Sequence, residues 1–132
     1  MPEQSSVALH KKAHKAAETG DMETLTSMMA EDVVWHSFGR SLIAGDFRGR
    51  DAVMGQFFGK MAELSEGSAG FAEIQNYFGS GDYSAAFFHW TATRNGQTEV
   101  FPVCEVIRWR DGQIVEEWGF VADQYGWDEH WS

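Results

Sequence analysis

Apolar and polar side chains alternate through Phe87–Val121, with breaks at Asn95-Gly96 and Asp111-Gly112. Both dipeptides tolerate positive φ and mark tight hairpins, so the stretch is predicted as three antiparallel strands. In the middle strand Glu99, Phe101, Val103, Glu105, Ile107 and Trp109 fall on one face, because strand side chains alternate. Glu105 therefore stands in an apolar stripe, where an unpaired carboxylate is costly to bury. A two-residue turn at Asn95-Gly96 pairs Arg94 with Gln97, Trp90 with Phe101 and Phe88 with Val103. It places Phe88 and Trp90 on the face of Glu105, and His89 on the other face with Phe87 and Thr91. The second hairpin has two registers. A two-residue turn sets Trp118 opposite Glu105, and a three-residue turn with a glycine bulge sets Glu117 there.

Upstream the apolar spacing changes to a helical one. Met1–Ser6 reads as a lead-in, and Ser5 or Ser6 opens a helix to about Thr19 with an apolar stripe of Val7, Leu9, Ala13, Ala16 and Ala17. Asp21 caps a second short helix holding Met22, Leu25, Met28 and Met29. A strand follows over Ala30–Phe38, with Val33, Trp35 and Ser37 on one face and Val34, His36 and Phe38 on the other. Arg40–Gly49 reads as a loop, a helix runs from Asp51 through Phe57, Phe58, Met61 and Leu64, and Phe71–Phe78 is a strand. The tail after Asp123 is a final helical turn. Helices segregated from an antiparallel sheet define an α+β fold, expected as one domain over residues 1–132.

Composition narrows the partners. Twenty acidic against ten basic residues leave a net charge of −10, which disfavours nucleic acid and anionic membranes as partners. The single cysteine, Cys104, excludes an internal disulfide and reads as a packing residue. With no apolar run of signal-peptide or membrane-spanning length, the expected location is cytoplasmic.

His10 and His14 are four apart, a spacing that can bind metal, but Lys11, Lys12 and Lys15 surround them, and the reading is a solvated basic face with no metal site. His36 alternates away from Ser37 and takes a structural or interface role. The glycines at 79–81 and 45–49 are turns that do not cradle phosphate.

The order of elements, with Thr19-Gly-Asp-Met-Glu, Ala30-Glu-Asp-Val-Val-Trp-His, Ala44-Gly-Asp-Phe-Arg-Gly-Arg-Asp-Ala-Val and Arg110-Asp-Gly-Gln-Ile-Val-Glu-Glu-Trp, resembles the nuclear transport factor 2-like superfamily. Within it the chain resembles the SnoaL-like branch, which includes small polyketide cyclases, and more distantly ketosteroid isomerase. The resemblance implies a curved antiparallel sheet closed by N-terminal helices into a cone with one apolar pocket. It also implies a homodimer through the convex face of the sheet.

Carried over position by position, the catalytic base of ketosteroid isomerase falls on Ser37 and its oxyanion-binding tyrosine on Ala13, which argues against steroid isomerisation. Its protonated acid falls on Glu105, implying a neutral carboxylic acid that donates a hydrogen bond. The comparison favours the bulged register, with Val115, Glu117, Gly119, Val121 and Asp123 toward the pocket. SnoaL-like cyclases often carry histidine at the position of Glu117 and aspartate at that of Asp123.

These readings converge on a cofactor-independent acid–base enzyme for a small apolar carbonyl or polyketide-like compound. Glu105, Glu117 and Asp123 are its expected acid–base groups; Trp35, Ser37, Phe57, Phe88, Trp90, Phe101, Val103 and Val121 are its expected ligand contacts. The alternative is a binding protein of the same fold that holds an apolar ligand without chemistry. Two facing carboxylates favour proton transfer, and a single one favours binding.

Overall fold

A computed structural model describes residues 5–132, apart from the side chains of residues 74 and 75. Of the expected lead-in Met1–Ser6, residues 1–4 lie outside the described residues, and Ser5 and Ser6 already belong to the first helix. Helix α1 (Ser5–Thr19) is followed by α2 (Met22–Ser27), β1 (Met29–Ser37) and the short β2 (Gly45–Arg48). Next come α3 (Arg50–Ala52), a π-helical stretch (Val53–Gly59) and α4 (Lys60–Ser65). Four strands then follow, β3 (Gly70–Ser80), β4 (Tyr83–Arg94), β5 (Gln97–Arg110) and β6 (Gln113–Val121), before α5 (Gln124–His130).

The strands form one curved, open sheet in the order β2-β1-β6-β5-β4-β3. The α+β class holds, with one pairing the hydropathy pattern does not reveal: β1 joins β6 in parallel, while its neighbours pair antiparallel. Strand β2 occupies part of the stretch read as a loop. It is four residues long, lies at the sheet edge and has only Phe47 partly buried, so its alternation is too short to register.

Both hairpins turn on two residues. Asn95 and Gly96 have φ of 52° and 76°, and Asp111 and Gly112 repeat these values, as turns matched to strand twist require. The β4–β5 register is the predicted one, from Arg94 opposite Gln97 through Trp90 opposite Phe101 to Phe88 opposite Val103. The β5–β6 register is neither of the two expected. Arg110 pairs with Gln113 and Trp109 with Ile114, as a two-residue turn demands, but pairing resumes with Arg108 opposite Glu116. Val115 is the extra residue, and this bulge shifts everything beyond it by one. Gly119 therefore stands opposite Glu105 and Glu117 opposite Ile107. The bulge lies three residues beyond the turn, where no glycine announces it. It reverses the consequence of the tight turn: Glu117 shares the face of Glu105, and Trp118 is on the other.

Helix α1 lies along the concave face of the sheet and buries Val7, His10, Ala13, His14 and Ala16. The core continues through Leu25, Met28, Met29, Val33, Trp35 and Ile43 to the inward side chains of β4–β6. Asp21 caps α2, its Oδ1 accepting from the Thr24 backbone N–H at 3.2 Å. The π-helical stretch has a wider turn than the α-helix read there, and it brings the adjacent Phe57 and Phe58 to the same cavity.

Candidate active site

The concave face, α1 and the π-helical stretch surround a cavity of about 90 Å³ that opens to solvent. Trp35, Phe57, Phe58, Phe71, Phe88 and Trp90 supply aromatic walls, and Ala13, Leu25, Met61, Ile107 and Ile114 complete an apolar lining. His14, Glu105 and Glu117 bring ionisable groups into it.

Glu105 is 7 % exposed and Glu117 4 %. Two histidines one helical turn apart on α1 meet Glu105. His10 Nε2 donates to Glu105 Oε1 at 2.8 Å and His14 Nε2 donates to the same oxygen at 2.7 Å. Their other ring nitrogens are held in turn. His10 Nδ1 lies 2.7 Å from Ser84 Oγ, which accepts from the Trp109 indole N–H at 2.8 Å, and His14 Nδ1 lies 2.9 Å from the Tyr77 hydroxyl. The indole can only donate, so the Ser84 hydroxyl hydrogen is free to go to His10 Nδ1. That assigns the His10 proton to Nε2, where the carboxylate needs it. Burial, then the charge of Glu105, push the Tyr77 phenol up to about 12, so it stays protonated.

The two carboxyl groups are driven apart. Burial alone would raise Glu105, but the hydrogen bonds from His10 and His14 outweigh it and hold Glu105 well below the usual carboxylate range. Glu117 has no such donors. Burial, the charge of Glu105 and their mutual hydrogen bond all raise it well above that range. Glu117 therefore keeps the proton and donates to Glu105, while its own Oε1 is buried with no hydrogen-bond partner among the described residues. Gly119, opposite Glu105, puts no side chain over the pair; a Cβ there would come within 3.7 Å of the Glu117 carboxylate.

Several sequence expectations change here. Glu105 was expected as the neutral donor, but it is the anion, and Glu117 holds the proton. The reason is α1: His10 and His14, read as a solvated face, are 0 % and 6 % exposed and point at Glu105. A signal for this exists, because His10 and His14 continue the spacing Val7, His10, His14, Ala17 along the buried side of the helix.

Trp35, Ser37, Phe57, Phe88, Trp90, Val103 and Val121 line the cavity with Glu105 and Glu117. Phe101 and Asp123 do not. Phe101 has the expected face, but Trp127 of α5 covers it, with ring centres 5.1 Å apart. Asp123 is exposed and caps α5, its Oδ1 accepting from the Gly126 N–H at 2.9 Å. The chain leaves the sheet at Val121, so strand alternation no longer governs position 123.

His36 projects from the opposite side of the sheet. It donates from Nδ1 to Asp46 and from Nε2 to Glu116, each at 2.6 Å. His89 lies on that side as well, 3.8 Å from Glu73.

His10, His14 and Glu105 are of the right kinds to hold a divalent ion, and their ligand atoms lie within 4.8 Å of one another. The geometry present is a different one, two N–H donors sharing one carboxylate oxygen, with each imidazole anchored from behind by a hydroxyl. Every ring nitrogen of the two histidines has a hydrogen-bond partner in this arrangement.

A SnoaL-like domain model matches residues 11–117. The Bal32a protein, from a soil-derived mobile gene cassette, is 30 % identical over 96 % of both chains with a TM-score of 0.90. A protein of unknown function with a cystatin-like fold from Xanthomonas campestris is 35 % identical over 96 % of this chain and 98 % of its own, with a TM-score of 0.89. A polyketide cyclase candidate from Pseudomonas putida shares the fold at 21 % identity over 98 % of this chain and 100 % of its own, with a TM-score of 0.75. No curated protein sequence is significantly similar to the chain. The match takes in α1 from Lys11, with His14 but not His10, and the strands as far as Glu117, and the chain belongs to the SnoaL-like family.

Proposed function

We propose that this chain is a cofactor-independent acid–base enzyme acting on a small, largely apolar carbonyl compound of polyketide-like character, by enolisation leading to cyclisation or isomerisation. One observation carries the reading: two buried carboxyl groups meet in the wall of an apolar cavity, one accepting from two histidines and the other with a buried oxygen that has no hydrogen-bond partner among the described residues. Such a pair offers a donor and an acceptor at one point. Protonated, Glu117 turns its O–H from Glu105 to a carbonyl oxygen of the bound substrate. Ionised, it takes an acidic proton from the carbon beside a carbonyl, and the anionic Glu105 next to it makes it more basic than a lone carboxylate. The proton then returns from Glu117 to a different atom, or the enolate closes on a second carbonyl of the same molecule and the alkoxide formed takes the proton back from Glu117.

The test follows hydrogen–deuterium exchange at the methyl group of 2-acetylnaphthalene in D₂O by NMR. Wild type should accelerate exchange, and Glu117→Gln should lose about 10²-fold or more of that acceleration. Binding of the ketone with no acceleration by wild type would make the protein a ligand carrier.

The proposal extends to assembly. The outer face of the sheet exposes Phe38, Phe87 and Phe120, with Trp118 stacked between His36 and Tyr83. A second copy of the chain is the expected cover. Sedimentation at micromolar concentration should give a dimer that Phe120→Lys weakens; a monomeric wild type rejects the assembly.

A further inference from the structure

A residue of the cavity wall carries a second unsatisfied polar atom. The Trp90 indole N–H is buried and has no hydrogen-bond partner among the described residues, although Trp90 lines the cavity. An unpaired buried donor costs free energy that a ligand can recover. Its position matters. Trp90 is opposite Phe101, Ala86 is opposite Glu105, and four residues of β4 separate the two levels. That is about 13 Å along the strand. Phe88 stands between the levels, and Phe71 packs against Trp90 at 4.9 Å between ring centres.

We propose that Trp90 is a specificity determinant: the ligand is a flat, elongated molecule with two oxygen functions, one at Glu117 and a hydrogen-bond acceptor at the far end taking the Trp90 N–H. The inference rests on the acid–base reading only for placing the reacting oxygen at Glu117. An indole donates and never accepts, so the far-end group is a carbonyl or ether oxygen and not a lone donor. An uncharged group fits best, because the rings that contact Trp90 are those of Phe71 and Phe88, an apolar setting in which a carboxylate is costly to bury. The aromatic walls between the two polar ends suit a planar body.

The experiment measures binding by calorimetry for three probes: 4-hydroxybiphenyl, 4-acetyl-4′-hydroxybiphenyl, and the isopropenyl analogue in which the acetyl oxygen becomes CH₂. Wild type should bind the acetyl compound roughly five- to tenfold tighter than the isopropenyl one. Trp90→Phe, which keeps an aromatic ring, should abolish that ratio, the acetyl and isopropenyl compounds then binding equally. Equal affinities for the acetyl and isopropenyl compounds in wild type, a ratio that survives Trp90→Phe, or failure of all three to bind would each overturn the proposal. Glu117→Gln separates the two readings. If it leaves the pH dependence of all three affinities unchanged while Trp90→Phe still removes the acetyl preference, the far-end contact stands and the acid–base reading fails.

Discussion

The molecule builds a histidine–carboxylate cluster on each side of one sheet, and the two work in opposite senses. On the concave side one carboxylate, Glu105, accepts from two buried histidines. On the convex side one histidine, His36, donates to two carboxylates, Asp46 and Glu116. Burial dominates on the inside and lowers His10. Outside, where the His36 side chain is 16 % exposed, burial pulls His36 down as well, but the hydrogen bonds and charges of Glu116 and Asp46 outweigh it and raise His36. The sign of the shift follows from how many opposite charges a ring faces and how much water it has lost. The inner cluster therefore separates the two carboxyl groups in proton affinity, while the outer one ties β2 to β1 and β6.

The largest effect expected is the removal of the inner anion. Glu105→Ala leaves two buried N–H donors facing an empty space and should cost about 3–5 kcal/mol in urea unfolding. Glu116→Ala on the outer face should cost under about 1 kcal/mol, and less in high salt. Equal costs would erase the distinction between the clusters.

Next comes the pH dependence. Glu117 is raised in the folded state, so the folded protein binds more protons than the unfolded chain above 4.5, and its contribution to stability falls as pH rises through that window. Glu117→Gln removes this loss and should be more stable than wild type by about 1–3 kcal/mol at alkaline pH, the gap closing toward acid. His10 and Glu105 have the other sign. Both are lowered, so the stability they add falls away as pH drops below 6.5 and 4.5 respectively. A gap that widens toward acid would mean that Glu117 does not hold the proton.

Asp123→Ala tests the boundary of the inner site. It should cost about 1 kcal/mol by uncapping α5 and leave the affinity for 4-hydroxybiphenyl untouched; a loss of affinity would return Asp123 to the cavity. The smallest effect belongs to the outer face. His36 is raised, so its ion pairs stabilise the fold fully below 6.5 and fade as pH climbs through the raised value. Asp46→Asn should lower the His36 titration followed by NMR and reduce stability by about 0.5 kcal/mol at pH 6, with little change at pH 9.

The sequence alone determined the β4–β5 hairpin and the face of Glu105. Two-residue turns leave only one register, and strand alternation then assigns every side chain. The same logic placed Phe88, Trp90 and Val103 in the cavity, and His89 outside it. The order of elements and the motifs between them determined the family.

Three matters were decided only in the tertiary structure. The bulge at Val115 follows from how β6 must sit against β1 and β5 together, and no residue in the turn encodes it; yet it alone turns Glu117 inward. The covering of Phe101 depends on where α5 lands after the chain has left the sheet. The charge states of Glu105 and Glu117 depend on α1, more than ninety residues away in sequence, bringing His10 and His14 to one carboxylate oxygen and not the other. Periodicity shows which side of an element faces inward, but the partner it meets there comes from another part of the chain, and a buried carboxyl group keeps or loses its proton according to that partner.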